Sequence, residues 1–402
     1  MKILFLNYSG KLGGAELCLL DLAKVYPNAL LGLFEDGQFR QLAEQNRVPV
    51  KVLSDRTIAV RKESSWLVGL SSLGALVPLV ANVTKLSRDY DLIYANTLKA
   101  LVVGAIASLI ARRPLVFHLH EILSLDHFSR ANRRLIVALC NWFASRVIAV
   151  SQASLTSFIE AGGRPEIGVK VYNGFRSEDY GGDHLDEKQQ HNQKTAQQLR
   201  DHLGLDDRFV IGHFSRLSAW KGQHILIDAL TQCSPDVTAI FVGDDLFGEQ
   251  DYVQALHDQV ARLGLSDRVR FLGFRSDLVP LMTMCDLITH TSTLAEPFGR
   301  VIVEAMLCGK PIIAAQAGGV LEIIEPGVTG WLVPPGDAQR LAETINDCRD
   351  HWQETQAIAR QGQQQATQRF NLTMTRQQIR HLLEQVVAAE SPQPNSSLEL
   401  RQ

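Results

Sequence analysis

Two glutamates near the end of the chain are the first residues that could do chemistry. Glu296 and Glu304 are separated by seven residues in the segment STLAEPFGRVIVEAMLCG. Within it, Pro297–Gly299 predicts a turn that leads into the helix carrying Glu304. Carboxylates accept hydrogen bonds from sugar hydroxyls, and the free amides at a helix start suit a phosphate. A glutamate pair at this spacing means nothing alone, but the string E-P-F-G-x-x-x-x-E-A-M-x-x-G-x-P is highly specific.

A pair of cations forms a second candidate site. The loop FSRLSAWKG follows a predicted strand and places Arg216 and Lys221 five residues apart. A guanidinium, which is always charged, and a mobile ammonium on one loop could clamp a pyrophosphate. The alternative is a solvated surface pair.

A glycine-rich turn follows the first predicted strand. The segment GKLGGAE (Gly10–Glu16) opens a helix, and the paired glycines Gly13 and Gly14 would let backbone amides approach an anion. The turn matches neither the phosphate-binding P-loop nor G-x-G-x-x-G. From these residues alone, a ligand loop and a plain turn both remain open.

Two histidines lie near the end of another predicted strand. His118 and His120 occur in LVFHLHE, and residues two apart share a face of a strand. A metal site would need a third ligand, which we cannot place, so a structural role is preferred for His118. Glu121 beside His120 indicates a polar strand end, where an imidazole could hydrogen-bond a sugar or a phosphate.

The elements that must position these residues are short apolar strands alternating with helices. A first series of predicted strands covers Ile3–Leu6, Leu30–Phe34, Pro49–Leu53, Asp91–Tyr94, Pro114–His120 and Arg146–Val150. A second series covers Phe209–Phe214, Thr238–Gly243, Val269–Leu272, Leu287–His290 and Pro311–Ala314. This alternation predicts the α/β class, with two Rossmann-like parallel sheets covered on both faces. Ligands of such sheets bind beyond the carboxyl ends of the strands, so the expected site is a cleft between two facing domains.

The length of 402 residues suits two domains of similar size. We predict a first Rossmann-like domain over 1–180, a polar linker or insertion over 181–206 and a second Rossmann-like domain over 207–370. Residues 371–390 predict a helix, and 391–402 predict a disordered tail.

Charge and cysteine content argue against some classes of protein. The chain has 40 Lys and Arg against 43 Asp and Glu, so it lacks the excess of basic residues that is typical of nucleic-acid-binding proteins. Six cysteines without a C-x-x-C pair indicate reduced thiols in a cytoplasmic protein, and the first apolar run is too short for a signal peptide. The uncharged stretch Trp66–Val83 predicts a buried helix; a membrane span and a helix dipping into a membrane surface are the alternatives.

The glutamate string resembles the family 4 retaining glycosyltransferases, which have the GT-B fold. The resemblance covers nearly the whole chain, and further motifs occur in the family order. These are GGAE (Gly13–Glu16), HE (His120–Glu121), VS (Val150–Ser151), YNG (Tyr172–Gly174), R-L-S-x-x-K-G (Arg216–Gly222), VGD (Val242–Asp244), FLGF (Phe271–Phe274), AGG (Ala317–Gly319) and GVTGWLVPPGD (Gly327–Asp337). Two runs depart from the family pattern: N-G-F-R replaces N-G-V-D, and Gly243 precedes two aspartates.

The resemblance implies a role for each candidate residue. Four residues are implied as catalytic: His120 and Glu296 at the transferred hexose, and Arg216 and Lys221 at the diphosphate. Glu304 is implied to bond the ribose, and Arg275 to lie near the base. The remaining implied donor contacts are Gly13, Gly14, Gly243, Phe298, Gly299, Arg300 and Val301.

The implied reaction moves a hexose from a UDP- or GDP-sugar to a glycan or lipid-linked acceptor, with retention and without a metal ion or cofactor. The resemblance also implies a last helix that crosses back onto the first domain, and a role in polysaccharide biosynthesis for the cell envelope. The alternatives are a nucleotide-sugar epimerase, a phosphorylase-like enzyme and an inactive sugar-nucleotide-binding protein. The arginines Arg130, Arg133 and Arg134 suggest peripheral contact with an anionic membrane, with a solvated helix face as the alternative.

Overall fold

The computed structural model describes residues 1–53, 69–181, 187–245 and 248–390. The chain forms two compact units, Met1–Tyr172 with Thr375–Gln402, and Asn173–Met374. Residues 173–180, which the sequence suggested for the first domain, therefore belong to the second unit. The reason is local packing: the ring of Phe175 stacks on Phe298 at 6.4 Å, and its amide donates to the carbonyl of Phe370 at 2.7 Å.

The described part of the first unit contains a seven-stranded parallel sheet in the order β3-β2-β1-β4-β5-β6-β7. Its strands are β1 (Ile3–Asn7), β2 (Leu30–Leu33), β3 (Val50–Val52), β4 (Leu92–Ala95), β5 (Leu115–Leu119), β6 (Ala144–Ala149) and β7 (Gly168–Lys170). Its helices are α1 (Gly14–Ala23), α2 (Gln38–Gln45), α3 (Gly69–Ser87), α4 (Leu98–Ala111), α5 (Arg130–Phe143) and α6 (Gln152–Glu160). The strand order reverses between β1 and β4, whose register pairs Phe5 with Tyr94.

Helices cover both faces of this sheet, as the continuous apolar strands predicted. Along β1, Leu4 and Leu6 face one buried cluster, and Ile3 and Phe5 face the other. Successive strand residues point to opposite faces, so a strand that is apolar at every position must be buried on both.

The second unit contains a six-stranded parallel sheet in the order β10-β9-β8-β11-β12-β13. Its strands are β8 (Phe209–Phe214), β9 (Val237–Val242), β10 (Val269–Phe271), β11 (Leu287–His290), β12 (Ile312–Ala315) and β13 (Trp331–Val333). Its helices are α7 (Glu187–Leu203), α8 (Gln223–Leu230), α9 (Gln250–Arg262), α10 (Leu278–Met284), α11 (Arg300–Leu307), α12 (Ala338–Asp350) and α13 (Trp352–Arg369). The order reverses between β8 and β11, so the loops after these two strands diverge and leave room for a ligand.

The segment predicted as a polar linker, 181–206, is a helix over most of its described length. This helix, α7, lacks a broad apolar face and is held to the second unit by Arg200. The Arg200 guanidinium donates to the carbonyls of Met284 at 2.8 Å and Arg208 at 2.6 Å, and lies 3.3 Å from Asp286. One arginine thus supplies contacts that the hydrophobic pattern did not reveal.

The apolar stretch Trp66–Val83 lies partly outside the described residues, and α3 covers it from Gly69 onward. Leu79 and Val83 are buried in the first unit, whereas Val77 is 66% exposed. No helix in the described parts of the chain is long and apolar enough to cross a membrane.

The last helix, α14 (Leu372–Glu390), returns to the first unit, as the resemblance implied. Ile379, Leu383 and Val386 pack into the same buried cluster as Phe5. The residues predicted as a disordered tail, 391–402, lie outside the described part of the chain.

Candidate functional site

The loop after β8 carries Arg216 and Lys221, and contacts with the chain after β11 hold it in place. Gly222, with φ of +71°, ends the loop; a Cβ atom there would lie 2.0 Å from the carbonyl oxygen of Thr291. The Thr291 hydroxyl donates to the Gly222 carbonyl at 2.8 Å, and the Thr293 amide donates to the Trp220 carbonyl at 2.8 Å. Only glycine allows this approach, which brings Lys221 to the end of the neighbouring strand.

Glu296 lies where the two loops meet. Its Oε2 is 2.6 Å from the Lys221 ammonium, and the two side chains are only 13% and 15% exposed. The same oxygen is 3.2 Å from His290 Nε2 and 3.2 Å from the Ser292 hydroxyl. The structure thus brings together two residues predicted from sequence, Lys221 and Glu296, and adds two that were missed.

The charges around Glu296 keep its carboxyl group ionised. Burial alone would raise the pKa of Glu296, but the Lys221 ammonium and the hydrogen bond from His290 outweigh it, and the pKa lies well below its ordinary value. Arg216 is nearby: burial lowers the pKa of its guanidinium, and the carboxylates of Glu249 and Glu296 oppose this effect. The Arg216 Nε atom lies 3.8 Å from Glu249 Oε2. Two cations and one fixed carboxylate therefore line this edge of the sheet.

Two glycines of the AGG motif hold the backbone of Glu296. Gly318 has φ of +65°, and a Cβ atom there would lie 2.3 Å from the Glu296 carbonyl oxygen. The amide of Gly319 donates to that oxygen at 2.8 Å. The motif therefore positions Glu296 through its main chain.

The segment around Glu304 separates into a buried part and a polar part. Phe298 is buried against Phe175 and Phe370, so its side chain belongs to the core. Gly299, with φ of +97°, precedes α11, and Val301 lies in the first turn of that helix. The sequence interpretation assigned backbone contacts to these same positions.

Arg300 and Glu304 form a pair along α11. Arg300 Nη2 lies 3.3 Å from Glu304 Oε1, with side-chain exposures of 15% and 11%. The guanidinium also lies over the Phe175 ring, 4.5 Å from its centroid. These contacts orient the Glu304 carboxylate on the second turn of α11.

Gly243 and Arg275, the two remaining candidates of this unit, have local structural partners. Gly243 follows β9 with φ of +140°, and a Cβ atom there would lie 2.0 Å from the carbonyl oxygen of Ser215. This glycine therefore supports the loop that carries Arg216. Arg275, after β10, makes a two-point ion pair with Asp277 at 2.8 Å and 2.5 Å.

In the first unit the two histidines have different environments. His118 lies within β5; its Nδ1 is 2.8 Å from the Tyr94 hydroxyl, and burial lowers its pKa to about 3. His120 lies just beyond the strand end, with Nε2 at 2.9 Å from Asn96 Oδ1. His118 is thus a core residue, and His120 is at the edge where ligands bind in such sheets.

Two asparagines connect His120 to the turn that holds Gly13 and Gly14. Asn96 Nδ2 donates to the Ala15 carbonyl at 3.2 Å and to Asn7 Oδ1 at 3.0 Å. A carbonyl only accepts, so the oxygen of Asn96 faces His120, and His120 must donate from Nε2. Sequence analysis missed both asparagines, although Asn7 directly follows the predicted strand Ile3–Leu6 and Asn96 lies two residues beyond Asp91–Tyr94. No group of three or more His, Cys, Asp or Glu side chains able to hold a metal ion occurs among the residues that the structure describes.

Comparison with known proteins identifies the family. The model for "Glycosyl transferases group 1" matches residues 195–365, and that for "Glycosyl transferase 4-like domain" matches 31–174. The solved structure of Anabaena Alr3699/HepE in complex with UDP-glucose is 56% identical, with a TM-score of 0.87 over 96% of this chain and 100% of that chain.

Curated relatives match over shorter segments. Spore coat protein SA of Bacillus subtilis (strain 168) is 33% identical over 187 residues, which is 44% of this chain and 49% of that protein. A D-inositol 3-phosphate glycosyltransferase of Mycobacterium sp. (strain KMS) is 38% identical over 150 residues, 36% of this chain and 33% of that protein. The chain thus spans half or less of these relatives. Because it covers the whole Anabaena chain at 56% identity, the protein belongs to the family 4 glycosyltransferases (glycosyl transferases group 1) and has the GT-B fold.

Proposed function

We propose that this protein transfers a hexose from a nucleotide diphosphate sugar, with UDP-glucose as the first candidate, to a glycan or lipid-linked acceptor with retention at the anomeric carbon. The observation that carries the proposal is the largely buried cluster of Lys221, Glu296 and Arg216 at the switch point of the second sheet. The similarity to the Anabaena protein, whose structure holds UDP-glucose, supports the choice of donor.

Arg216 and Lys221 are proposed to stabilise the leaving diphosphate. As the bond from the anomeric carbon to the phosphate oxygen breaks, the diphosphate gains negative charge, so fixed cations act most strongly in the transition state. These two side chains would take the place of a metal ion in charge neutralisation.

Glu296 is proposed to orient the hexose. Because its carboxyl group stays ionised, it is a strong acceptor for a sugar hydroxyl. In the substitution we propose, the acceptor oxygen bonds to the anomeric carbon on the face that the diphosphate leaves. The acceptor proton passes to the departing phosphate oxygen. In the first unit, contacts of His120 and of the Gly13–Gly14 turn with the nucleotide sugar remain predictions.

Thermal shift with a panel of nucleotides tests the donor. A ligand at 100 times its Kd stabilises the protein by about 2.7 kcal/mol, so UDP and UDP-glucose should raise the Tm more than GDP and GDP-mannose. Lys221→Met should lose this shift, whereas Lys194→Met, an exposed lysine on α7 of the same unit, should keep it. Equal shifts for all four nucleotides would contradict the choice of UDP-glucose.

Product analysis with labelled UDP-glucose separates the alternatives. Transfer of label to an acceptor, or to water when no acceptor is present, supports a glycosyltransferase. Release of an isomerised nucleotide sugar would indicate an epimerase, and phosphate-dependent release of glucose 1-phosphate a phosphorylase-like enzyme. Binding with no turnover over a broad set of acceptors would favour an inactive binding protein.

We also propose that the α3–α5 layer of the first unit contacts an anionic membrane. Residues 76–146 contain nine Lys or Arg against four Asp or Glu, although the whole chain has a net charge of −3. Arg113 donates to the Arg88 carbonyl at 2.9 Å, which joins the basic ends of α3 and α4. The layer also exposes large apolar side chains, namely Val77, Ile106, Leu109, Ile110, Leu135 and Trp142. Apolar side chains beside cations are typical of surfaces that bind anionic lipid.

Sedimentation with vesicles tests this surface. The protein should bind phosphatidylglycerol-containing vesicles at low salt and dissociate at high salt. Trp142→Ser, which removes a side chain 79% exposed, should weaken binding, whereas Leu321→Ser, 51% exposed in the second unit, should not. Equal binding by both variants and the unaltered protein would refute the proposed surface.

A further inference from the structure

Three hydrogen-bond donors converge on one oxygen of Glu296. Lys221 Nζ, His290 Nε2 and Ser292 Oγ lie 2.6 Å, 3.2 Å and 3.2 Å from Oε2. His290 and Ser292 are also 3.1 Å from each other, and both are buried, at 4% and 1% exposure. Since a carboxylate oxygen has two lone pairs, three donors satisfy Oε2 fully.

The hydrogen bond from His290 has a defined direction. A carboxylate accepts only, so His290 must donate from Nε2. The other ring nitrogen, Nδ1, is buried and has no hydrogen-bond partner among the described residues. The N–H group at Nε2 is thus directed at Glu296.

The backbone around these side chains gives them little freedom. His290 is the last residue of β11, a strand paired with β8 on one side and β12 on the other. Ser292 follows two residues later, and the Glu296 carbonyl accepts from the Gly319 amide. Rotation of the Glu296 carboxylate would break all three bonds to Oε2 at once.

We propose that His290 and Ser292 are positioning residues, which commit Oε2 of Glu296 to the protein and leave Oε1 as the oxygen that binds a hydroxyl of the donor hexose. The inference rests on the proposed function, because it takes the hexose as the ligand of Glu296. It also explains how Lys221 can serve two partners. With His290 and Ser292 holding Oε2, the Lys221 ammonium can share its three N–H groups with a diphosphate while Glu296 stays in place.

The proposal is tested by comparing the binding of UDP with that of UDP-glucose, because only the second ligand carries a hexose. His290→Leu removes the donor and should weaken the affinity for UDP-glucose, or lower kcat for the donor, by about 10- to 100-fold, as for the loss of a hydrogen bond to a charged group. The Kd for UDP should stay within about 3-fold, since UDP lacks the hexose that Glu296 is proposed to bind. His290→Gln, which can still donate, should recover most of the loss.

Two further variants keep the test valid if His290→Leu folds poorly. Ser292→Ala removes a smaller donor and should show the same selective effect, at about 3- to 10-fold. Thr289→Val is the control, because Thr289 is equally buried on the same strand and its hydroxyl donates to the Gly212 carbonyl rather than to Glu296. It should change neither ligand's affinity nor kcat.

The outcomes separate this inference from the proposed function. Equal losses for UDP and UDP-glucose, or unchanged values for both in His290→Leu and Ser292→Ala, would overturn the positioning role while leaving the donor assignment intact. Failure of the unaltered protein to bind or turn over UDP-glucose would overturn the proposed function, and the inference with it.

Discussion

The buried pair of Lys221 and Glu296 supports a quantitative prediction. Replacing Lys221 by Met removes the charge that holds the Glu296 carboxylate, whose side chain is 13% exposed. Breaking a buried ion pair by removing one partner costs about 3–5 kcal/mol, because the other charge stays buried and uncompensated. For a unit of about 200 residues, 1 kcal/mol shifts the Tm by about 2–4 °C. We therefore expect the Tm of Lys221→Met to fall by about 6–20 °C.

The double variant Lys221→Met/Glu296→Gln should regain much of this loss. Without the carboxylate, no buried charge is left unpaired, so the two single losses should not add. The assay is thermal unfolding of the ligand-free protein, followed by circular dichroism for all four members of the cycle. Arg340→Met is the control: its partner is Glu343, the pair is 60% and 51% exposed, and such pairs contribute at most about 1 kcal/mol.

The same variants separate stability from chemistry. The double variant should be stable and should still fail to transfer glucose. It lacks both the Lys221 ammonium that binds the diphosphate and the Glu296 carboxylate that binds the hexose. If the losses of the single variants add in the double variant, the pair is not coupled, and the electrostatic account of this site is wrong.

Backbone geometry at Gly318, titration of Glu296 and the Arg275–Asp277 pair can each be tested by substitution. Gly318→Ala and Gly336→Ala both strain a positive φ, but only Gly318 faces the Glu296 carbonyl, so only Gly318→Ala should abolish transfer; equal activities would contradict the backbone account. The pKa of Glu296 is below its ordinary value of 4.5, so its contribution to stability is full above about pH 5 and is lost as the pH falls. Tm measured from pH 7 to pH 3 should therefore fall less steeply in Glu296→Gln than in the unaltered protein. Arg275 is implied to lie near the base of the nucleotide, so Arg275→Met should weaken UDP binding by about 10-fold in titration calorimetry. Its ion pair with Asp277 is partly exposed, so the Tm should change by about 2 °C or less.

The hydrophobic pattern predicted both parallel sheets but missed one edge strand of each, β7 (Gly168–Lys170) and β13 (Trp331–Val333), which are only three residues long. The run Ile3–Leu6 is apolar at every position, and Phe209–Phe214 is apolar apart from Gly212 and His213. Such runs are typical of strands buried on both faces, and both are strands in the structure. The same criterion failed for α7, which is polar on nearly all sides and is anchored by the hydrogen bonds of Arg200. Composition therefore suggested a linker where the chain forms a helix.

The sequence by itself determined the family, the two parallel sheets and the cations and carboxylates that follow their strands, because these depend on local pattern and on contiguous motifs. Tertiary structure alone decided that Lys221 and His290 share one oxygen of Glu296, and that Asn96 orients His120. These partners come from β8 and β11, or from β4 and β5, and they meet because of how the strands are ordered and aligned in the sheet. A single polar residue at a strand end carries no signal in the sequence, since its meaning depends on which strand lies beside it.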